Sequence, residues 1–201
     1  MAEQTQSPAG GLSIEGMPAW QLARREKIVL AGLHLLESQE YDRIQIRDVA
    51  AEAGVALGTL YRYFSSKEHL YAAVLMEWSA LGKSVERRSS KGSPEQHLRS
   101  RIRGVIKAFE RQPQFYKVQV LLQSSTDPNA KTLLNDFGEA AQVSLVSDFA
   151  ALGPQRAEDA ATMMWAIISS MLTQSIYHGV PMREVYRIAD GFLDLLVPDL
   201  G

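Results

Sequence analysis

Apolar positions recur at three- and four-residue intervals along most of this chain, and the strict alternation of a half-buried strand is nearly absent. Trp20 to Glu37 carries Leu22, Ile28, Leu35 and Leu36 at helical spacing, with Arg24, Arg25 and Lys27 near its start. Ile46, Val49, Ala50 and Ala53 share one face of a two-turn helix, which Gly54 breaks. Leu57 to Phe64 resumes the pattern through Leu60 and Phe64. Ser65 and Glu68 stand in S-x-x-E order, a capping box that predicts a helix from near Ser66, through Trp78, to about Arg88. Beyond the linker composition of residues 89–93, Ser93 and Pro94 open a helix to about Gln112. Pro113 starts a shorter one through Leu122, and Asp127-Pro128 caps another to about Leu152. Gly153-Pro154 precedes a long helix ending at Gly179, and Pro181 opens a last one that Pro198 stops. The prediction is an all-α fold of nine helices, three short ones first.

Two short helices about a Gly-containing turn, braced by a third, make a helix-turn-helix. Ile46, Val49, Ala53, Val55, Leu60 and Phe64 supply a small shared core, and Ala50 and Ala53 permit a close crossing. A helix of this length is unstable alone in water, so it exists only by that packing. Its expected outer face then holds Gly58, Thr59, Tyr61, Arg62 and Tyr63, a crowding of long polar groups suited to a large anionic partner. Gly58 lets backbone approach a base edge or phosphate, and the hydroxyls and guanidinium reach phosphate oxygens. Lys67, in the first turn of the next helix, joins its ammonium to the free amides of a helix start, an anion site.

Composition narrows this picture. The 201 residues carry a formal net charge of only −2, which excludes a globally basic DNA binder but not a locally basic edge. From 20 to 70 there are seven basic and seven acidic side chains, yet 54–67 holds two cations and no acid. The absence of cysteine excludes a disulfide framework and thiolate zinc, and points to a cytoplasmic protein. The longest apolar run, from Met163, is far too short for a membrane span. Residues 1–18 lack signal-peptide order and read as a disordered tail of Gly, Ser, Pro and Gln. His34, His69, His97 and His178 sit on separate elements, and no phosphate loop, nucleophile elbow or EF-hand loop is present. No catalytic group, metal site or cofactor is expected.

The tract "RDVAAEAGVALGTLYRYFSSKEHL" closely resembles the DNA-binding signature of TetR-type transcriptional repressors, the match covering roughly residues 25 to 75. The resemblance implies that Leu57, Gly58 and Tyr61 approach bases in the major groove. It implies that Thr59, Arg62, Tyr63 and Lys67 hold phosphates and that Arg47, on the second helix, reaches a base or phosphate. Three positions depart from the pattern: Ala56 replaces the usual capping Ser, Gln45 a frequent Thr, and Glu40 the usual Gly before Tyr41. Arg24, Arg25 and Lys27 fit either a solvated helix start or a phosphate-contacting arm. Within the family, the segment is similar to that of repressors of steroid catabolism.

The expected organisation is a tail at 1–18, a three-helix DNA-binding domain at 19–66, and a six-helix ligand-binding and dimerisation bundle at 67–201. The resemblance implies a small-molecule pocket in the bundle. Trp78, Phe109, Phe115, Tyr116, Phe137, Met164 and Trp165 are its candidate walls, and Gln123, with Ser124 and Asn135, its candidate polar partners. Each aromatic alone is ordinary core, but together they exceed what a minimal bundle needs, and methionine adapts to irregular cavities. A sterol-derived or acyl-type hydrophobic inducer is the expected ligand. The stretch "MMWAIISSML" is apolar on nearly every face, so one side implies a partner. The family's symmetric four-helix dimer assigns that role to Ile168, Met171, Ile188, Phe192 and Leu195, with small Ala166, Ser169, Ser170 and Gly191 allowing close approach. The helix from Ser66 to about Arg88 is the expected lever between ligand and DNA. The alternatives are a helical-bundle enzyme, which turnover would reveal, or an adaptor whose helix-turn-helix is non-functional.

Overall fold

The computed structural model describes residues 16–86 and 94–196, so most of the expected tail and all of the 89–93 linker lie outside the described residues. Among the described residues there is no strand, and nine α-helices follow in the predicted order. They are α1 (Ala19–Ser38), α2 (Ile46–Glu52), α3 (Leu57–Tyr63), α4 (Lys67–Glu86), α5 (Pro94–Arg111), α6 (Pro113–Leu122), α7 (Pro128–Asp148), α8 (Pro154–His178) and α9 (Met182–Leu196). Four of them begin on proline, whose missing N–H has no intrahelical acceptor to lose in the first turn. Short 3-10 turns stand at Tyr41–Arg43 and Ala150–Leu152. The second corrects the expected end of α7: Phe149 leaves helical dihedrals at φ −95°, ψ 9°, and one tight turn carries the chain to Gly153.

By packing, the chain divides into two units, one up to Leu81 plus 114–137, the other 82–113 plus 138 onward. This grouping differs from the junction expected at 66/67, which followed the edge of the motif. The helix α6 and the start of α7 pack with the first three helices, and α4 and α7 each run through a boundary.

In the first unit α1 packs on α2, and α2 on α3. Ile28, Leu36, Ile44, Val49, Leu60, Phe64, Leu70 and Tyr71 are each at most 2% exposed. Burying each such side chain is worth about 1.5–3 kcal/mol, which is what holds α2 and α3 in helical form. Gly32 lies on the inner side of α1, where an added Cβ would stand 3.0 Å from Cγ2 of Val74, so its bare backbone sets how closely α4 approaches.

In the second unit α8 packs on α9, and α5 on both. Leu98, Ile102, Ile106 and Phe109 form the buried stripe of α5, and Ala157, Ala160, Ala161, Met164, Ile168 and Leu172 that of α8. The polar edges of α5 are tied down by ion pairs. Arg99 reaches Glu95 at 2.8 Å and Asp194 at 2.6 Å, Arg103 reaches Asp190 at 2.6 Å, and Arg101 reaches Asp148 at 2.7 Å. The Tyr186 hydroxyl donates to Glu110 at 2.6 Å, and burial together with that carboxylate pushes its pKa up to about 12.

Candidate nucleic-acid interface

The turn between α2 and α3 closes by two backbone bonds, Val55 N–H to Ala50 O at 2.9 Å and Gly54 N–H to Ala51 O at 3.1 Å. This pairing ends a helix on a left-handed residue. Gly54 takes it at φ 64°, a conformation that side-chain-bearing residues rarely adopt. The chain then enters α3 at Ala56, which offers no side-chain cap, as its sequence predicts. Leu60 and Phe64 are fully buried beneath the helix.

On the opposite side Leu57, Gly58, Tyr61 and Arg62 are exposed, and Thr59 is half-buried. Leu57 is 43% and Tyr61 47% exposed, large groups one turn apart held out in solvent. Tyr63 does not share that face. At 4% exposure it packs inward, because three residues after Leu60 the helix has turned it to the core side. The expected outward placement of Tyr63 is therefore corrected, and the readable face is narrower. Arg47 extends from α2, its side chain 71% exposed and its guanidinium 3.8 Å from Asp48. The Asp48 carboxylate accepts the Gln45 backbone N–H at 3.2 Å, closing the start of α2.

Lys67 is half-buried and turned toward Tyr41: its ammonium donates to the Tyr41 carbonyl at 2.5 Å and lies 3.9 Å from the ring centroid. Burial lowers its pKa, against the pull of Asp42 and Glu68. An ammonium has three donors, so one bond to Tyr41 leaves others for a phosphate. Of the ambiguous cations on α1, Arg25 lies over the Phe64 ring at 5.1 Å and Arg24 over Trp20 at 5.4 Å.

The exit of α3 is built differently from the expected capping box. Ser66, not Ser65, caps α4, its hydroxyl accepting the His69 N–H at 2.9 Å. Ser65 is turned instead to α7, donating its hydroxyl to Oδ2 of Asp127 at 2.8 Å and accepting from Nδ2 of Asn129 at 3.0 Å. Nδ1 of His69 accepts the Ser65 N–H at 3.2 Å. Burial pushes the His69 imidazole down to about 4, Asp127 opposing the shift and Arg25 adding to it. The ring is thus neutral and serves as an acceptor. Burial would raise the Asp127 carboxyl, but bonds from Ala130, Ser66, Ser65 and Asn129 together hold it below the usual carboxylate range. A second link joins α6 to the segment before α2, Lys117 to Glu40 at 3.0 Å, which gives that departure from the family pattern a partner.

Of the expected pocket walls in the first unit, Trp78 and Phe115 stack at 4.7 Å with 14° between their planes. Phe115 and Tyr116 are buried and Phe137 is half-buried. Gln123 is corrected: it stands just past the end of α6 and is exposed. One turn earlier, Gln119 is 8% exposed and its Oε1 has no hydrogen-bond partner among the described residues; the fully buried Tyr71 hydroxyl has none either. Buried polar atoms of this kind are satisfied by water or by a ligand group. Sequence reasoning missed both, although Gln119 falls on the same face as Phe115 and Leu122. An open polar cleft of about 410 Å³ is lined by Ser66, Glu68, Leu121, Ser124, Ser125, Thr126 and Asp127, none of them an expected aromatic wall.

In the second unit Phe109 and Met164 are buried and Trp165 is half-buried. Of the expected dimer residues Leu195 is 78% exposed, while Met171, Ile188 and Phe192 are half-buried. Ile168 is corrected: at 1% exposure it lies on the inner stripe of α8, already covered within its own chain. Two positions to either side, Ala166 and Ser170 lie on the opposite face of α8 and are exposed. No helix among the described residues is long and apolar enough to cross a membrane.

The family model of bacterial regulatory proteins, tetR family, matches residues 28–74, the span from α1 into α4. The HTH-type transcriptional repressor KstR of Mycobacterium tuberculosis is 30% identical over 182 residues, covering 90% of this chain and 70% of that protein. A TetR transcriptional regulator from Rhodococcus has the same fold, with a TM-score of 0.69 and 24% identity over 90% of this chain and 100% of its own. So does the transcriptional regulator FadR of Bacillus subtilis, solved in complex with stearoyl-CoA, with a TM-score of 0.62 and 18% identity over 88% of this chain and 99% of its own. A helix-turn-helix presented in this way, the family model matched across it and 30% identity to a repressor over 90% of the chain lead to one conclusion: the chain belongs to the tetR family of bacterial regulatory proteins.

Proposed function

We propose that the chain is a repressor that binds double-stranded operator DNA as a homodimer and releases it when a small hydrophobic inducer binds. The observation that carries the DNA reading is the outer face of α3. Leu57, Gly58, Tyr61 and Arg62 stand exposed together, while Leu60, Tyr63 and Phe64 anchor the helix from beneath. Leu57, Gly58 and Tyr61 then meet base edges, and Thr59, Arg62, Lys67 and Arg47 hold phosphates. Two features support the dimer. Exposed Met163, Ala166, Ser170 and Tyr177 recur on one side of α8, and Gly191 and Leu195 on α9 are exposed beside half-buried Ile188 and Phe192. Large apolar groups beside small ones suit close packing of a second copy.

For the inducer, buried Phe115 and Tyr116 in the first unit, with Trp78 stacked on Phe115, supply apolar surface. The unpartnered oxygens of Tyr71 and Gln119 favour a ligand that is apolar in body and carries a hydrogen-bonding group. Sterol-derived and acyl-type molecules both fit that description, and a neighbour of the same fold is solved with stearoyl-CoA. Selection of duplexes from a random-sequence pool tests the reading. The enriched site should be a near-palindrome, with half-sites separated by about 34–36 Å or a multiple of it. Failure to enrich any sequence above the starting pool would defeat the proposal. Native mass spectrometry of the purified protein tests the ligand by the mass of any molecule retained.

A further inference from the structure

Asp127 uses its two oxygens for different ends. Oδ1 accepts the N–H groups of Asn129 at 2.8 Å and Ala130 at 3.0 Å, which caps α7. Oδ2 accepts the Ser65 hydroxyl at 2.8 Å, Ser65 being the second residue beyond α3, and the carboxylate also takes a bond from the neighbouring Ser66 hydroxyl. A cap needs only the first of these oxygens. It gives no reason for the second, nor for Asn129 to bring its side-chain amide to the same hydroxyl at 3.0 Å. The target is also one that needs holding. The helix α3 has 7 residues and no side-chain cap at Ala56, so its own backbone bonds do not fix its orientation.

We propose that Asp127 is a positioning residue for DNA recognition, fixing the exit of α3 to the first turn of α7 through Ser65. The recognition helix is thereby oriented from the α6–α7 corner as well as from α4. The bond is charge-assisted and partly buried, hence among the stronger hydrogen bonds available to a surface segment. The Lys117–Glu40 pair ties the same corner region to the segment ahead of α2, so the helix-turn-helix is held at both ends by α6 and α7. A shift of the corner moves the exit of α3 directly, without bending α4. This rests on the reading of α3 as the DNA-contacting helix.

Asp127→Asn separates the two uses, because asparagine keeps one capping oxygen but replaces the acceptor facing Ser65 with an amide. Ser65→Ala removes the same bond from the other side. The probe is a duplex enriched by the wild type from a random pool. Each variant should bind it about tenfold more weakly, and the double variant well short of the product of the two losses, as expected where the main interaction is shared. The sign is diagnostic. Removing a negative charge by itself strengthens binding to a polyanion, so weakening by Asp127→Asn reports lost positioning. Amide hydrogen exchange across 57–64 should quicken in both variants, while that of α8 is unchanged. Unaltered affinity, or losses that add in the double variant, would overturn the proposal. If the wild type enriches no duplex, the DNA reading has failed instead, and the exchange rates alone decide whether Asp127 holds α3. Should Asp127→Asn not fold, Ser65→Ala decides by the same affinity and exchange criteria.

Discussion

Gly58 lies within α3 with no atom within 4 Å of the place a Cβ would occupy, so nothing in the folded chain requires its smallness. A glycine inside a helix sacrifices about 1 kcal/mol relative to alanine. Gly58→Ala should therefore raise thermal stability by about that amount while weakening duplex binding, if backbone must approach the DNA there. Chemical denaturation and a binding titration on the same preparation check both halves; a variant that gains stability and keeps its affinity would remove Gly58 from the interface. His69 offers a second residue-scale test. Its folded pKa of about 4 lies below its unfolded value of 6.5, so as pH falls through that window the unfolded chain takes up a proton that the folded chain refuses. Stability should decline between those values by on the order of 3 kcal/mol, and His69→Gln should flatten the decline. Asp127 does not blur this window, since its contribution is lost only below its unfolded value of 3.8.

At the scale of elements, α3 is the least self-sufficient helix of the helix-turn-helix. Ala56 leaves its first amides without a side-chain cap, and Thr59 N–H turns to the Ala56 carbonyl at 2.8 Å. Ala56→Ser should stabilise the protein by about 1 kcal/mol through the missing cap, read as a raised denaturation midpoint at unchanged slope. The helices themselves were legible in the sequence because their ends are marked by local chemistry: Gly54 stops α2, Pro94, Pro113, Pro128 and Pro154 begin four others, and Pro181 precedes α9. Where the sequence misled, the choice was not local. Ser65 and Ser66 are equally good caps by composition, and Asp127, far away in the chain, takes Ser65 for itself.

The whole molecule sets the sharpest contrast between neighbours on one pair of helices. Leu195 is 78% exposed and Ile168 1% exposed, although both carry apolar side chains on the last two helices. Leu195→Asp should leave the circular dichroism and melting of the chain nearly unchanged, while analytical ultracentrifugation shows a shift from dimer to monomer. Ile168→Asp should instead unfold it, since an unpaired carboxylate in an apolar interior costs several kcal/mol. A monomeric wild type at micromolar concentration would remove the dimer from the proposal. Identical behaviour of the two variants would mean that the exposed stripe of α8 and α9 meets no partner.

Periodicity, prolines and glycines determined the helical class, the helix order and the helix-turn-helix, because each of those depends on interactions spanning only a few residues. The motif from Arg47 to Leu70 likewise carries its own meaning, since α2, α3 and the turn between them are specified within one short tract. Which side of a helix becomes surface was decided only by the tertiary fold. Tyr63 and Ile168 turned inward, Gln123 outward, and the buried polar role fell to Gln119 and Tyr71, because burial depends on which distant helix arrives at each face. The tie from Asp127 to Ser65 belongs to the same class of fact: two residues 62 positions apart meet only when α6 and α7 have packed beside α3.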